Sequence, residues 1–297
     1  MFLFTFPLYE QIAKALDQLP GITFSYFSVN RFPNQEMFIT TQDSVAEKDC
    51  FILGSIAPPD QQLISTLLLA HTLKTEGARE VSLVLPYLAY SRQDKKELGE
   101  SFTTAWIGQI FQASKVDQVI TVDVHSPLDK RLFPMPLISL SLAKVFAEEI
   151  NNLGLVDATL VAPDEGAINR IRAVEMLLGT RKPITYFKKE RTPNGLELTL
   201  HGEVCSKVVI IDDILDTGAT LVACSEKLKA VGVKRIIIMV AHGLFIGNLW
   251  QRLWPLGVEQ VYCTDTIPPD LQPVSDKIII LPATASLLQE ELRKQTV

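Results

Sequence analysis

Short runs of β-branched and other apolar residues, each long enough for one strand, recur along this chain between longer stretches with helical spacing. That alternation constrains the fold more than any other feature. A strand that is apolar at every position is buried on both faces, and helices must then cover both faces of a mainly parallel sheet. In the first half the runs are Phe51 to Leu53, Val81 to Leu85 and Val119 to Val124; in the second they are Thr159 to Val161, Val208 to Ile211, Ile236 to Val240 and Lys277 to Leu281. Helical spacing marks Gln61 to Lys74, Thr103 to Ala113, Glu165 to Leu178 and Thr220 to Val231. The fold class is α/β.

Strand-then-helix units occur on both sides of a helical stretch, Leu140 to Leu153, so the pattern predicts two similar domains, each a mainly parallel sheet flanked by helices. The boundary is expected near residue 145, giving domains of 1–145 and 146–297, and the last helical pattern, Ala283 to Lys294, can pack on either half. With 297 residues, 47% of them hydrophobic, the chain can bury two cores.

Acidic residues outnumber basic ones by 34 to 28, and a net charge of −6 provides no global field for a polyanion, so nucleic acid is not an expected partner. Any phosphate binding must be local. Cys50, Cys205, Cys224 and Cys263 form no CxxC pair and no disulfide or zinc framework, which fits a reducing compartment. No apolar run approaches the ~20 residues that span a bilayer, and the first residues lack the positive region of a signal peptide. A cytoplasmic protein with no membrane partner is expected.

The strongest chemical signal is VVIIDDILDTGAT, residues 208–220. A buried strand runs into Asp212, Asp213 and Asp216, then into Thr217, Gly218, Ala219 and Thr220 at the start of a helix. In open α/β sheets ligands bind at the carboxyl ends of strands, and a helix N-terminus offers free N–H groups to phosphate. Two adjacent carboxylates would repel that phosphate unless hydroxyls or a metal lay between them. A sugar phosphate satisfies both, with its phosphate in the Thr/Gly loop and its ring hydroxyls on Asp212 and Asp213. The plain alternative is an acidic turn capped by Thr217.

These residues look like the 5-phosphoribosyl diphosphate loop of phosphoribosyltransferases and ribose-phosphate pyrophosphokinases. RFPNQE (31–36), PYLAYSRQDKK (86–96), TVDVHS (121–126), PDEGAINR (163–170) and FKKER (187–191) further resemble the pyrophosphokinase motifs in order and approximate spacing. Several of them lie in the first half, which a phosphoribosyltransferase of about half this size would lack.

The segments also carry chemistry of their own. Arg92, Gln93 and Asp94 follow a strand and the aromatic pair Tyr87 and Tyr90, a set suited to an adenine nucleotide. His125 ends a strand after Asp123, a plausible metal position, although oxygen ligands suit Mg²⁺ better than imidazole. His71, His201 and His242 have no comparable setting. Lys188, Lys189 and Arg191 follow a short expected strand, Ile184 to Phe187, and such a charged run is ordinarily a solvated turn.

The resemblance implies two phosphoribosyltransferase-like domains, the first contributing an ATP site and the second the ribose 5-phosphate loop. It assigns Phe32, Asn34 and Glu36, from a neighbouring subunit, and Arg92, Gln93 and Asp94 to ATP; His125 and Asp164 to the Mg²⁺–nucleotide; and Lys189 and Arg191 to a mobile loop closing over the transferring diphosphate. It also implies self-association, as a dimer or hexamer. The chain departs from the family at Ala219, where Gly is usual, at Ala167, where longer members have a second Gly, and in SPLDKRLFP after His125. It is closest to the shorter members, and weak activation by inorganic phosphate is the expected consequence. Two other readings stay open on sequence: a phosphoribosyltransferase, and a catalytically silent regulatory paralogue. No P-loop, dinucleotide fingerprint or nucleophile elbow is present.

Overall fold

The computed structural model describes residues 1–126, 128–192 and 195–295, and for residues 190–197 the backbone alone. The chain divides into two units, Met1–Leu140 with the C-terminal segment from Thr284, and Ser141–Ala283.

The first unit is built on a six-stranded parallel sheet. Its strands are β1 (Phe2–Thr5), β2 (Thr23–Ser25), β5 (Asp49–Leu53), β6 (Glu80–Leu85), β7 (Gln118–Val122) and β8 (Leu137–Leu140), in the order β2-β1-β5-β6-β7-β8. Between β2 and β5 the chain forms a separate antiparallel ribbon, β3 (Phe27–Arg31) with β4 (Met37–Thr41). The helices of this part are α1 (Glu10–Leu16), α2 (Gln61–Thr75), α3 (Thr103–Ala113) and the short α4 (Asp129–Leu132).

The second unit holds α5 (Ala143–Asn152), α6 (Ile168–Leu177) and α7 (Ala219–Ala230) around a seven-stranded sheet. Its strands are β9 (Thr159–Ala162), β10 (Thr185–Thr192), β11 (Gly195–His201), β12 (Lys207–Leu215), β13 (Arg235–Gly243), β14 (Val258–Thr264) and β15 (Ile278–Leu281), in the order β11-β10-β9-β12-β13-β14-β15. All pairs are parallel except the hairpin of β10 and β11. The continuous apolar runs are explained by burial on both faces. Val208, Ile210, Ile236, Ile238 and Val240 pack with Leu221, Cys224 and Leu228 of α7, while the alternate residues Val209, Ile211, Ile237 and Met239 are buried as well.

Omitting β11, the second order repeats the first strand for strand, so the two similar halves are real at the level of topology. The boundary lies at Leu140/Ser141, and the final helix α8 (Thr284–Gln295) returns to the first unit and packs on α1. The structure thus differs from a single cut near residue 145 with everything beyond it in one domain. Gln289 donates to the Ala15 carbonyl at 2.7 Å, a partner that an amphipathic pattern cannot name. All four cysteines are free thiols. Among the described residues, no helix is long and apolar enough to cross a membrane.

Candidate active site

In the second unit, β9 connects through α6 to β10 on one side, and β12 connects through α7 to β13 on the other. The direction of winding therefore reverses between β9 and β12, and a crevice opens beyond their carboxyl ends. The two segments singled out in this half, 163–170 after β9 and 212–220 at the end of β12 and its exit, meet there.

Asp212 and Asp213 are buried, 8% and 7% exposed. The Asp213 N–H donates to Asp212 Oδ1 at 3.0 Å. Burial, then the charge of Asp213 and a hydrogen bond with its side chain, push the Asp212 carboxyl well above the usual carboxylate range; Arg170, in the first turn of α6, pulls the other way. Two buried acids left in this state are costly, and hydroxyl donors or cations brought by a ligand would relieve them.

The chain then turns through Asp216, Thr217 and Gly218 into α7. Gly218 has φ +84°, and a Cβ there would lie 2.8 Å from the Cα of Trp250, so both conformation and space require glycine. Trp250 is held by its indole N–H on the Gly247 carbonyl at 2.8 Å, and Ile246 N–H donates to the Asp216 carbonyl at 2.9 Å, which braces the turn from behind. Thr217 Oγ1 accepts from Ala219 N–H at 3.4 Å. Thr217 and Ala219 are exposed, so the first amides of α7 face open space where an anion can approach.

FKKER is strand rather than turn. Only Thr185 and Tyr186 of β10 pair with β9; beyond them the strand pairs with β11 alone, from Tyr186↔His201 to Thr192↔Gly195, and forms an arm past the end of the sheet. Lys189 reaches back from this arm, its ammonium 2.9 Å from Asp164 Oδ2 and 3.5 Å from Thr220 Oγ1. Asp164 Oδ1 accepts from Gly166 N–H at 3.0 Å. The structure thus brings Lys189, Asp164, Asp212, Asp213 and the 216–220 turn to one crevice. The Arg191 side chain lies outside the described residues. Arg170 is the residue that sequence reasoning left without a role; its signal was its place in PDEGAINR, at the start of a helix facing two acids.

The first unit has the same switch point between β1 and β5, where Phe6 packs against Gly54. A Cβ on Gly54, just after β5, would lie 2.8 Å from the ring of Phe6, just after β1. The loop into α2 reads GSIAPPD, without the Asp and Thr set.

Other candidates sit on this unit's loops. Phe32, Asn34 and Glu36 form the turn of the β3–β4 ribbon: Phe32 stacks at 4.6 Å from Phe38 and stays half exposed, while Asn34 Oδ1 accepts from Glu36 N–H at 3.2 Å. Arg92, Gln93 and Asp94 lie between β6 and α3. Gln93 donates to Glu100 Oε2 at 2.6 Å, and its carbonyl accepts from Thr104 N–H at 3.3 Å. Nearby, burial and a hydrogen bond to Asp60 push the Tyr90 phenol up to about 12. His125 is exposed, just after β7. His242, by contrast, is a packing histidine, buried with Nδ1 2.9 Å from Thr266 Oγ1.

Among the described residues no group of three or more His, Cys, Asp or Glu side chains could hold a metal. Asp164, a hard oxygen donor oriented by Gly166 N–H, fits an ion that takes one or two carboxylates and completes its shell with phosphate oxygens and water, which is the habit of Mg²⁺.

This fold and crevice define an α/β protein whose candidate ligand site lies where two parallel strands part. The chain belongs to the ribose-phosphate pyrophosphokinase family. A family model described as the N-terminal domain of ribose phosphate pyrophosphokinase matches residues 1–114, and one described as the phosphoribosyl synthetase-associated domain matches residues 141–296. The ribose-phosphate pyrophosphokinase of Thermotoga maritima is 32% identical over 97% of this chain and 91% of its own. Ribose-phosphate pyrophosphokinase 4 of Saccharomyces cerevisiae is 30% identical over 95% and 87%. The crystal structure of phosphoribosylpyrophosphate synthetase from Mycobacterium smegmatis superposes with a TM-score of 0.86, at 27% identity, over 99% of this chain and 98% of that one.

Proposed function

We propose that this protein is a ribose-phosphate diphosphokinase, which moves the β,γ-diphosphate of ATP to the 1-hydroxyl of ribose 5-phosphate and releases AMP. The observation that carries the reading is the juxtaposition at the second unit's switch point: paired buried carboxylates, a Thr/Gly turn at a helix N-terminus and a lysine set between Asp164 and Thr220, in a chain that matches the family along nearly its whole length.

The 5-phosphate sits at the turn of Thr217, Gly218, Ala219 and Thr220, on its amides and the two threonine hydroxyls, with Asp216 shaping the turn. Asp212 and Asp213 accept hydrogen bonds from ribose hydroxyls and fix the 1-hydroxyl for in-line attack on the β-phosphorus. Such a transfer needs positioning and charge neutralisation rather than covalent help. Lys189 and Arg191 supply cationic donors to the migrating diphosphate, and Arg92 adds charge at the nucleotide. Phe32, Asn34 and Glu36 of a neighbouring copy, with Gln93 and Asp94, hold the adenine end of ATP, so the working form is at least a dimer. Asp164 would help hold Mg²⁺, which when bound neutralises phosphate charge, and His125 on the first unit is a further candidate ligand. The setting is the cytoplasm, and neither nucleic acid nor membrane takes part.

Incubation with ATP, ribose 5-phosphate and Mg²⁺, followed by identification of the nucleotide product, tests the proposal. AMP supports it, whereas ADP would indicate an ordinary kinase and no turnover a silent paralogue or a transferase.

A further inference from the structure

The ion pair of Lys189 with Asp164 joins a group that should act on the diphosphate to one that should act on the metal. Both oxygens of Asp164 are engaged: Oδ1 accepts from Gly166 N–H at 3.0 Å and Oδ2 from the Lys189 ammonium at 2.9 Å. The pair is about one-third exposed on each side, 33% for lysine and 36% for aspartate, so it is partly sheltered yet open to exchange. On its other side the ammonium lies 3.5 Å from Thr220 Oγ1, at the turn that would receive the sugar phosphate. The arm that carries Lys189 has lost its β9 neighbour beyond Tyr186, so this side chain is a cross-strut between arm and crevice.

We infer that Asp164 is a positioning residue for Lys189 as well as a metal ligand: one carboxylate seats the ammonium and, in exchange for it, a divalent cation. A cation arriving at Oδ2 must displace the ammonium, whose second contact among the described residues, Thr220 Oγ1, lies toward the phosphate site. Cation binding and delivery of Lys189 to the diphosphate are then one exchange, and the lysine is withheld from the transfer site until the metal is in place. The inference rests on the proposed reaction only for the identity of the ligands; the ion pair itself stands on geometry.

The test uses the ligand-free full chain in four forms: parent, Asp164→Asn, Lys189→Gln and, as a control with the same charge change, Lys188→Gln. Asparagine keeps the acceptor for Gly166 N–H and removes the anion, so the turn should survive. Hydrogen exchange of the β10–β11 amides should rise roughly twofold to fivefold in Asp164→Asn and Lys189→Gln, the range a partly exposed ion pair can supply, and stay at the parental rate in Lys188→Gln. In Mn²⁺ titrations followed by electron paramagnetic resonance, Lys189→Gln should bind about two to five times more tightly than Lys188→Gln, because the competitor for the seat is gone. Unchanged exchange in Asp164→Asn and Lys189→Gln overturns the inference, as does Mn²⁺ affinity no higher in Lys189→Gln than in the control, or no Mn²⁺ uptake by either. An AMP-forming parent with these negative results sinks this inference alone. An inactive parent with the predicted exchange and Mn²⁺ pattern sinks the reaction and leaves the seat standing.

Discussion

Two residues show how local physics serves the site. Gly218 sits at φ +84° with Trp250 backbone 2.8 Å from where a Cβ would be. Alanine there must bear a left-handed conformation and push Trp250 away, so Gly218→Ala should lose at least about 2 kcal/mol in urea unfolding. An unchanged midpoint would remove the case for a braced turn. Asp212 makes the opposite prediction for stability. Its folded carboxyl keeps its proton above the usual aspartate range because it is buried beside Asp213. Between the ordinary value, ~3.9, and the raised one, the folded state binds more protons than the unfolded state, so this group's contribution falls as pH rises. Asp212→Asn should therefore melt above the parent at neutral pH, with the difference closing in acid. It should also lose a charged acceptor for ribose, about 1.5 to 3 kcal/mol, or roughly ten- to a hundredfold in kcat/KM for ribose 5-phosphate. A variant that melts below the parent at neutral pH would contradict the charge argument.

Elements were legible in proportion to how fully their apolar pattern is dictated by burial. β12 and its exit could be read directly, because the run Val208–Ile211 is apolar and buried on both faces, and Asp212 and Asp213 at the strand's end are followed at once by Asp216 and the Thr/Gly turn. The β3–β4 ribbon was not legible as strands: it lies outside the main sheet, and its burial runs from intermediate to exposed with no clean alternation. β8 was hidden because Leu137–Leu140 runs on into the pattern of α5. FKKER misled for a related reason. Its pairing is with β11 alone, so charge rather than apolar period marks it, and only the hairpin register reveals a strand. That register sharpens a prediction about the arm. Successive residues of a strand face opposite ways, which sets Lys188 apart from Lys189. Lys189→Ala and Arg191→Ala should each cost about 3 to 4 kcal/mol of transition-state stabilisation, roughly 10²- to 10³-fold in kcat, with little change in KM for ribose 5-phosphate. Lys188→Ala should turn over almost normally. Retention of more than about a third of parental kcat by both Lys189→Ala and Arg191→Ala would reduce the arm to a surface hairpin.

At the scale of the molecule, the repeated strand order describes two copies of one design that have diverged at the same point. The second unit lines its switch point with acids, whereas the first sets Phe6 against Gly54 there and presents its candidate groups on outlying loops instead. Topology could be anticipated because parallel strands impose it, but the approach of one phenyl ring to a glycine depends on tertiary placement that no pattern encodes. The half-exposed Phe32 on the ribbon turn is the kind of surface that a neighbouring copy would complete. The protein should therefore be at least dimeric at assay concentration, and light scattering that finds a fully active monomer would refute the shared nucleotide site. The central claim is that two phosphoryl groups move together onto ribose 5-phosphate, and ATP labelled with ³²P in the β position tests it most directly. Label recovered in a sugar diphosphate, with unlabelled AMP beside it, is the predicted result; label that remains in ADP while the sugar gains one unlabelled phosphate would contradict the account.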